Sequence, residues 1–386
     1  MFSGLGHGLF FGHTDSFIPL AKGPHNKLGV DEMSQNGGAG ISARASRICW
    51  TVMMLGLLGS SAMALDGTLI VSNRTGGSIS FIDLTTGVEL ARVPVGPMIP
   101  HEVAVSPDGR LVLTSEYGPN GEPGQHVVLI DVASATVVGR IDLGPDSRPH
   151  TALFLPDGRR AVATMQDSDL LALLDLETMS VTRTYPTGGR EGHMVRLSPD
   201  GSRAYVTSRL GTGTLSVIFL NEDRDPVVIE TGPGAEGLDV SADGSEVWVA
   251  NRQERSISVI DAESLEVVAE LDSRPYAGRV EMGPDGYAIV PNGGGGGEPV
   301  PQYLRLFDVE SRRMITEMPL RDGQPQDGNF GVLIHDGMAF ASDPGEGTIQ
   351  MFELDGLNNR QVYMMNHDGP DGMAWSPIRL NAMTED

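Results

Sequence analysis

From residue 65 onward the chain says one thing seven times. An alternating strand ends in Ser-Pro-Asp-Gly or a close relative at Val103–Gly109, Leu153–Gly158, Val195–Gly201, Leu238–Gly244, Val280–Gly286 and Val332–Gly337, then once more at Met373–Pro377. A second strand follows, as at Leu69–Asn73, Ala204–Ser208 and Val247–Asn251. A third carries Ile-Asp (Phe81–Asp83, Leu129–Asp131, Val259–Asp261), and a fourth is a short edge strand such as Thr136–Asp142. The 322 residues of 65–386 divided among seven units give about 46 each. Period-two alternation gives every small sheet two faces, and each face must be covered by a neighbour. Four-stranded sheets at this spacing predict an all-β, seven-bladed β-propeller. The chain enters at a second strand and leaves after a lone first strand near residues 371–376. The ring is therefore expected to close by pairing that C-terminal inner strand with the three N-terminal strands, which leaves no open edge.

These motifs, Val-x-Val-Ser-Pro-Asp-Gly and Tyr-Val-Thr-Ser/Asn, resemble the YVTN β-propeller family over nearly all of residues 65–386. The resemblance implies a propeller of the cytochrome-d1-like superfamily, periplasmic or secreted. It implies no single activity, because the family includes surface-layer proteins, periplasmic binding proteins and relatives of haem-d1 propellers. Function has to be argued from a site.

Residues 48–58 form an apolar run too short to span a bilayer, preceded by Arg44 and Arg47 and followed by Ala62-Met63-Ala64. Basic, apolar and small-residue parts in that order read as a secretory signal peptide over 33–64, cleaved near Ala64. Residues 1–32 read as an over-long lead, with Met33 as the start. Residues 65–386 are then the propeller, a soluble periplasmic or secreted protein with no integral membrane segment after cleavage. Loss of 1–64 removes four basic and three acidic residues, leaving 23 against 48 and a formal charge of −25. Such a surface repels nucleic-acid backbones and anionic membranes. The same cut removes Cys49, the only cysteine, and every lysine. Cysteine nucleophiles, disulfides and lysine Schiff bases are thereby excluded.

The repeats also allow the chain to be aligned with itself. Five residues before the Ser of each Ser-Pro-Asp-Gly stand His101, His150, His193, Glu236, Gly278, Asn329 and Asp371. Inner strands start at one mouth of a propeller's channel, so these residues form a ring there. Six histidines follow residue 64, and three of them share this one position in three consecutive repeats. Three imidazoles and a carboxylate arriving from separate rigid sheets make a first shell for one divalent transition metal, Zn, Mn, Fe or Cu. The expected ligands are His101, His150, His193 and Glu236. The ligand pattern alone is similar to the three histidines and glutamine of oligogalacturonate lyases and the four histidines of carotenoid cleavage oxygenases. Asp371 and Glu236 are the expected proton carriers, Asp371 alternatively a fifth ligand or the partner that orients His101.

Second-strand ends return to the same mouth and bring Arg74, Arg209 and Arg252. With Asn329 they are candidates to hold a carboxylate or sulfate, and salt bridging to nearby acids is the alternative. Gly293–Gly297 lacks the Lys-Ser/Thr and helix of a phosphate loop. The reading is a metal-dependent lyase, hydrolase or oxidoreductase acting on a small or oligomeric anionic substrate. The rival is a non-catalytic propeller binding a ligand, a cofactor or a protein partner, and the apparent gap at Gly278 favours the enzyme.

Overall fold

The computed structural model describes residues 65–96, 99–119, 121–293, 301–321, 331–365 and 368–380. The signal-peptide and lead-in readings, Asn329, His367 and most of the glycine run lie outside the described residues. The described residues form seven four-stranded antiparallel sheets, each running from an inner to an outer strand in chain order with one exception. In that exception, called blade 1 here, the inner strand is Pro370–Ser376, and it pairs with Thr68–Asn73, followed by Ser78–Asp83 and Val88–Pro94. Blades 2 to 7 then follow in sequence, with inner strands beginning at Pro100, Pro149, Arg190, Ala235, Glu281 and Val332. The ring closes as the repeat offset requires.

Period-two alternation does the packing. On Thr68–Asn73, Leu69 and Val71 face blade 7, where they meet Phe340, Ile349 and Met351; Ile70 faces blade 2 and meets Val112, Val128 and Ile130. A buried apolar cluster of this kind fills each of the seven gaps between adjacent blades. Truncating a fully buried aromatic such as Trp248 in the blade 5–6 gap removes roughly 3–5 kcal/mol. The Ser-Pro-Asp-Gly turns are built by their side chains: Ser106 Oγ donates to Asp108 Oδ1 (2.6 Å), which also accepts from the Arg110 N–H (3.1 Å). Gly109 completes the turn at φ +78°, a conformation that β-carbon-bearing residues rarely adopt.

Pro370–Ser376 contributes Met373 and Ala374 to the two clusters that flank blade 1. A chain ended at residue 369 is therefore expected to lose cooperative thermal unfolding and to aggregate through the bared Thr68–Asn73 edge. Circular dichroism melts with light scattering check this, and a monomer with an unchanged midpoint would contradict it.

Candidate metal centre in the channel mouth

His101, His150, His193, Glu236 and Asp371 all stand at or near the starts of inner strands, and none is more than 4% exposed. Two features of the sequence put them there. The ladder between inner and second strands slips at this position, between Pro100 and Val103, Pro149 and Ala152, Gly192 and Val195, and Ala235 and Leu238. Such a bulge re-aims side chains, so the ring residue and its successor both reach the channel. A hydroxyl from the second strand of the preceding blade then holds each ring carbonyl. Ser72 Oγ donates to His101 O (2.6 Å), Ser115 to His150 O (2.8 Å), Thr164 to His193 O (2.9 Å), Thr207 to Glu236 O (2.6 Å) and Ser342 to Asp371 O (3.0 Å). The Ser/Thr of the second-strand motif is thus the element that locks the ring. Blades 5 and 6 carry Ala250 and Pro291 there, and their successors in the ring are Gly278 and Asn329.

The three imidazoles follow one another in a row, tilted by 42° and 51°, with ring centroids 4.2 Å apart for His101–His150 and 3.7 Å for His150–His193. Tyr117 packs edge-on against His101 and His150, at 5.3 and 5.2 Å. Burial, with His193 and His101 alongside, drives the His150 pKa well below the usual histidine range. Burial and the nearby Arg209 bring His193 down to about 3, against the opposing pull of Glu236. Both rings are accordingly neutral at pH 7 and carry a lone pair, as ligation requires. His150 Nε2, His101 Nδ1 and Asp371 Oδ2 are buried without an aligned hydrogen-bond partner. His101 Nδ1 nevertheless lies 3.0 Å from Asp371 Oδ2 and 3.3 Å from Glu102 Oε1. His101, Glu102 and His150 each place a donor atom within 4.8 Å of the others, a group able to hold a metal ion. His193 Nε2 and Glu236 Oε1 face each other at 3.8 Å.

The opening anticipated beside Gly278 is filled. Arg279, 6% exposed, reaches across the channel, and its guanidinium pairs with Glu102 and, at 3.0 Å, with Asp371 Oδ1. One glycine makes room for Arg279 and another for its partner Glu102. A Cβ on Gly237 would lie 2.5 Å from the Arg279 Cα, and one on Gly372 would lie 2.9 Å from Glu102 Oε2. Burial alone would raise the Glu102 pKa; the charge of Arg279 outweighs it and holds the carboxylate ionised. Glu236 is likewise held low against its burial. What outweighs the burial is its contact with His193 and then the charge of Arg252, whose Nη1 lies 3.2 and 3.3 Å from the two Glu236 oxygens.

Arg209 and Arg252 line one cavity of about 660 Å3 at the mouth, together with Glu191, Glu236, Arg255 and Tyr276. Arg209 pairs with Glu191 at 3.0 Å. Arg74 is not in this wall; it is partly buried, and its backbone N–H donates to Gly369 O. Repeat alignment did not single out Glu102, Arg279, Tyr117, Arg255 or Tyr276. Glu102 and Arg279 share the position one step past the ring residue, so a second pass of the same alignment finds them. His126 accepts or donates at Glu116 (2.8 Å), and His335 stacks on Trp375 (3.9 Å); neither belongs to the ring.

No protein-family model matches the chain, and no curated protein is recognisably similar to it. Solved structures do resemble it. Hydrazine synthase of Kuenenia stuttgartiensis superposes with a TM-score of 0.58 at 20% identity, over 66% of this chain and 77% of that one. A functionally unknown protein from Desulfotomaculum acetoxidans superposes with a TM-score of 0.64 at 17% identity, over 82% of this chain and all of that one. Likeness at this identity establishes the propeller fold alone. Among the described residues, no helix is long and apolar enough to cross a membrane.

Beneath the Arg279 bar the channel continues as a cavity of about 470 Å3. There Arg196 Nε pairs with Asp239 (3.1 Å) and its Nη2 approaches Glu281 (3.5 Å). Burial, and then the adjacent Asp239 charge, push the Glu281 pKa up to about 8. A carboxyl raised on folding favours the folded state fully below its unfolded value near 4.5, and that contribution is lost as pH rises through 8. The wild-type melting temperature should therefore fall more steeply between pH 6 and 9 than that of Glu281→Gln. Parallel pH dependences would show that the carboxyl is not held protonated.

Proposed function

We propose that this is an exported, YVTN-type propeller whose channel mouth binds one divalent transition metal through His101, His150 and His193 with a carboxylate. We further propose that it uses the centre for catalysis on a small or oligomeric anionic substrate. The observation that carries the reading is the convergence of buried donor atoms, His150 Nε2 without a hydrogen-bond partner and His101 Nδ1 beside Asp371 Oδ2 and Glu102 Oε1, next to two neutral imidazoles. A buried atom such as His150 Nε2 costs roughly 1–3 kcal/mol when unsatisfied, a cost that coordination removes. Glu236 supplies the carboxylate on the His193 side and Glu102 on the His101–His150 side.

A metal bound there would contribute Lewis-acid polarisation of a substrate oxygen. The chain's own residues divide the remaining work. Arg209 and Arg252, in the wall of the mouth cavity, orient a carboxylate or sulfate of the substrate. Glu236 lines that same cavity and, once a substrate anion has taken over Arg252, is the proposed proton acceptor. Asp371, buried against His101 and tied to Arg279, holds the imidazole in place and stays away from the mouth cavity. The non-catalytic reading draws on one observation: Glu236 already carries Arg252, and Glu102 and Asp371 already share Arg279. On that reading the mouth is a preorganised binding surface.

Plasma mass spectrometry of the purified protein, beside a His101→Ala/His150→Ala/His193→Ala variant, separates the two. About one equivalent of a transition metal, lost in the variant, is the expected result. No metal above the variant's level after reconstitution would sink the metal-centre reading and leave the binding module.

A further inference from the structure

His193 differs from its neighbours in the ring by having a dedicated amide partner. Its Nδ1 lies 3.2 Å from Gln166 Oε1, and Gln166 Nε2 donates to Tyr117 Oη at 3.3 Å. Gln166 is 4% exposed and opens the short 3-10 turn Gln166–Ser168. Its backbone N–H donates to Arg148 O (3.2 Å). Arg148 in turn donates from Nε to Asp167 (2.9 Å), and its guanidinium carbon lies 5.2 Å from the Tyr117 ring centroid. Tyr117, Arg148, Asp167 and Gln166 thus form a closed circuit behind the row of imidazoles. Through the phenol ring and this amide, Tyr117 is connected to all three ring histidines.

A neutral imidazole has one ring proton, and an amide oxygen can only accept. With its amide oxygen toward the ring, Gln166 accepts from Nδ1–H and leaves Nε2 bare, in competition with a proton on Nε2 shared with Glu236. That bare nitrogen looks at Glu236 Oε1 across 3.8 Å. Two acceptors facing each other repel, and a cation between them reverses the sign of the interaction. With the amide turned over, Nδ1 would accept from Gln166, the proton would sit on Nε2, and the nitrogen facing Glu236 would be blocked.

We infer that Gln166, anchored by Tyr117, is a positioning residue that sets the tautomer of His193 and so presents its Nε2, paired with Glu236, to a bound cation. The consequence for metal affinity rests on the metal-centre reading; the tautomer does not. Partners of this kind orient and polarise ligating histidines, and their loss typically weakens metal binding about 10–100-fold.

The test is the long-range 1H–15N spectrum of metal-free protein labelled with 15N-histidine at neutral pH, the His193 signals being those absent from His193→Ala. Wild type should show the Nδ1–H pattern. Gln166→Leu should shift His193 toward Nε2–H or a mixture and weaken Zn2+ binding about 10–100-fold. Gln166→Glu, which keeps an acceptor oxygen, should keep the proton on Nδ1. If Gln166→Leu does not fold, Tyr117→Phe carries the test, because it retains the ring against His101 and His150 and removes only the hydroxyl anchor. An Nε2–H pattern in wild type, or an unchanged tautomer in Gln166→Leu or Tyr117→Phe, overturns the inference even where Zn2+ still binds. The Nδ1–H pattern in a wild type that binds no Zn2+ supports the tautomer assignment and overturns the metal centre instead.

Discussion

A hydroxyl in the second strand of one blade donates to the carbonyl of the ring residue in the next, and the mouth depends on that bond being repeated. Ser72, Ser115, Thr164, Thr207 and Ser342 each seal a seam between blades at the point where the inner-strand ladder slips. A buried carbonyl at a bulge has lost its ladder partner, and leaving it unpaired costs about as much as the bond it lacks. The hydroxyl therefore does two things at once. It closes the polar account of the bulge, and it holds the Cα from which an imidazole or carboxylate enters the channel. Five convergent side chains on rigid, mutually bonded sheets need little reorganisation to meet a ligand, which is what a metal or substrate site requires.

The channel also concentrates charge where charge is expensive. Glu102, Asp371 and Arg279 are buried together, and Arg279 offsets both carboxylates. Removal of one member of such a group strands the others and is strongly destabilising, whereas the intact group contributes little net stability. Its contribution is better read as geometry. Asp371 is pinned through Oδ1 and directs Oδ2 toward His101, while the guanidinium separates the histidine mouth from the lower cavity that holds Arg196, Asp239 and Glu281. One end of the channel keeps the His150 and His193 imidazoles neutral; the other keeps a carboxyl protonated. Desolvation acts at both ends, and neighbouring charges decide its outcome.

Much of this was legible in the repeats. Strand number, ring closure by Pro370–Ser376 and the co-location of His101, His150, His193, Glu236 and Asp371 all follow from aligning the chain with itself, because a propeller maps one repeat position onto one ring. What escaped is what breaks the repeat. Gly278 looked like a gap because Arg279 enters from the following residue, and the glycines that leave space for Arg279 and for Glu102, Gly237 and Gly372, lie in other blades. Glu102 was hidden by the same single-residue offset at the bulge. Tyr117 and Gln166 hold, in blades 2 and 3, the repeat position of Arg74, Arg209 and Arg252, so the alignment brings them to the mouth but does not show the contacts they make across a blade boundary. Of the arginines at second-strand ends, Arg209 and Arg252 share a cavity wall and Arg74 does not, a distinction that spacing along the chain cannot make.

The claim on which the account turns is that the three adjacent histidines hold a metal, and anomalous X-ray diffraction from crystals of the metal-loaded protein tests it most directly. Data above and below the absorption edge of the loaded metal should give one strong peak in the channel mouth, within bonding distance of at least two of His101, His150 and His193 and of a carboxylate oxygen of Glu102 or Glu236. A channel without an anomalous peak, or a peak held only by surface carboxylates, would contradict the account and leave the ring as a polar binding mouth.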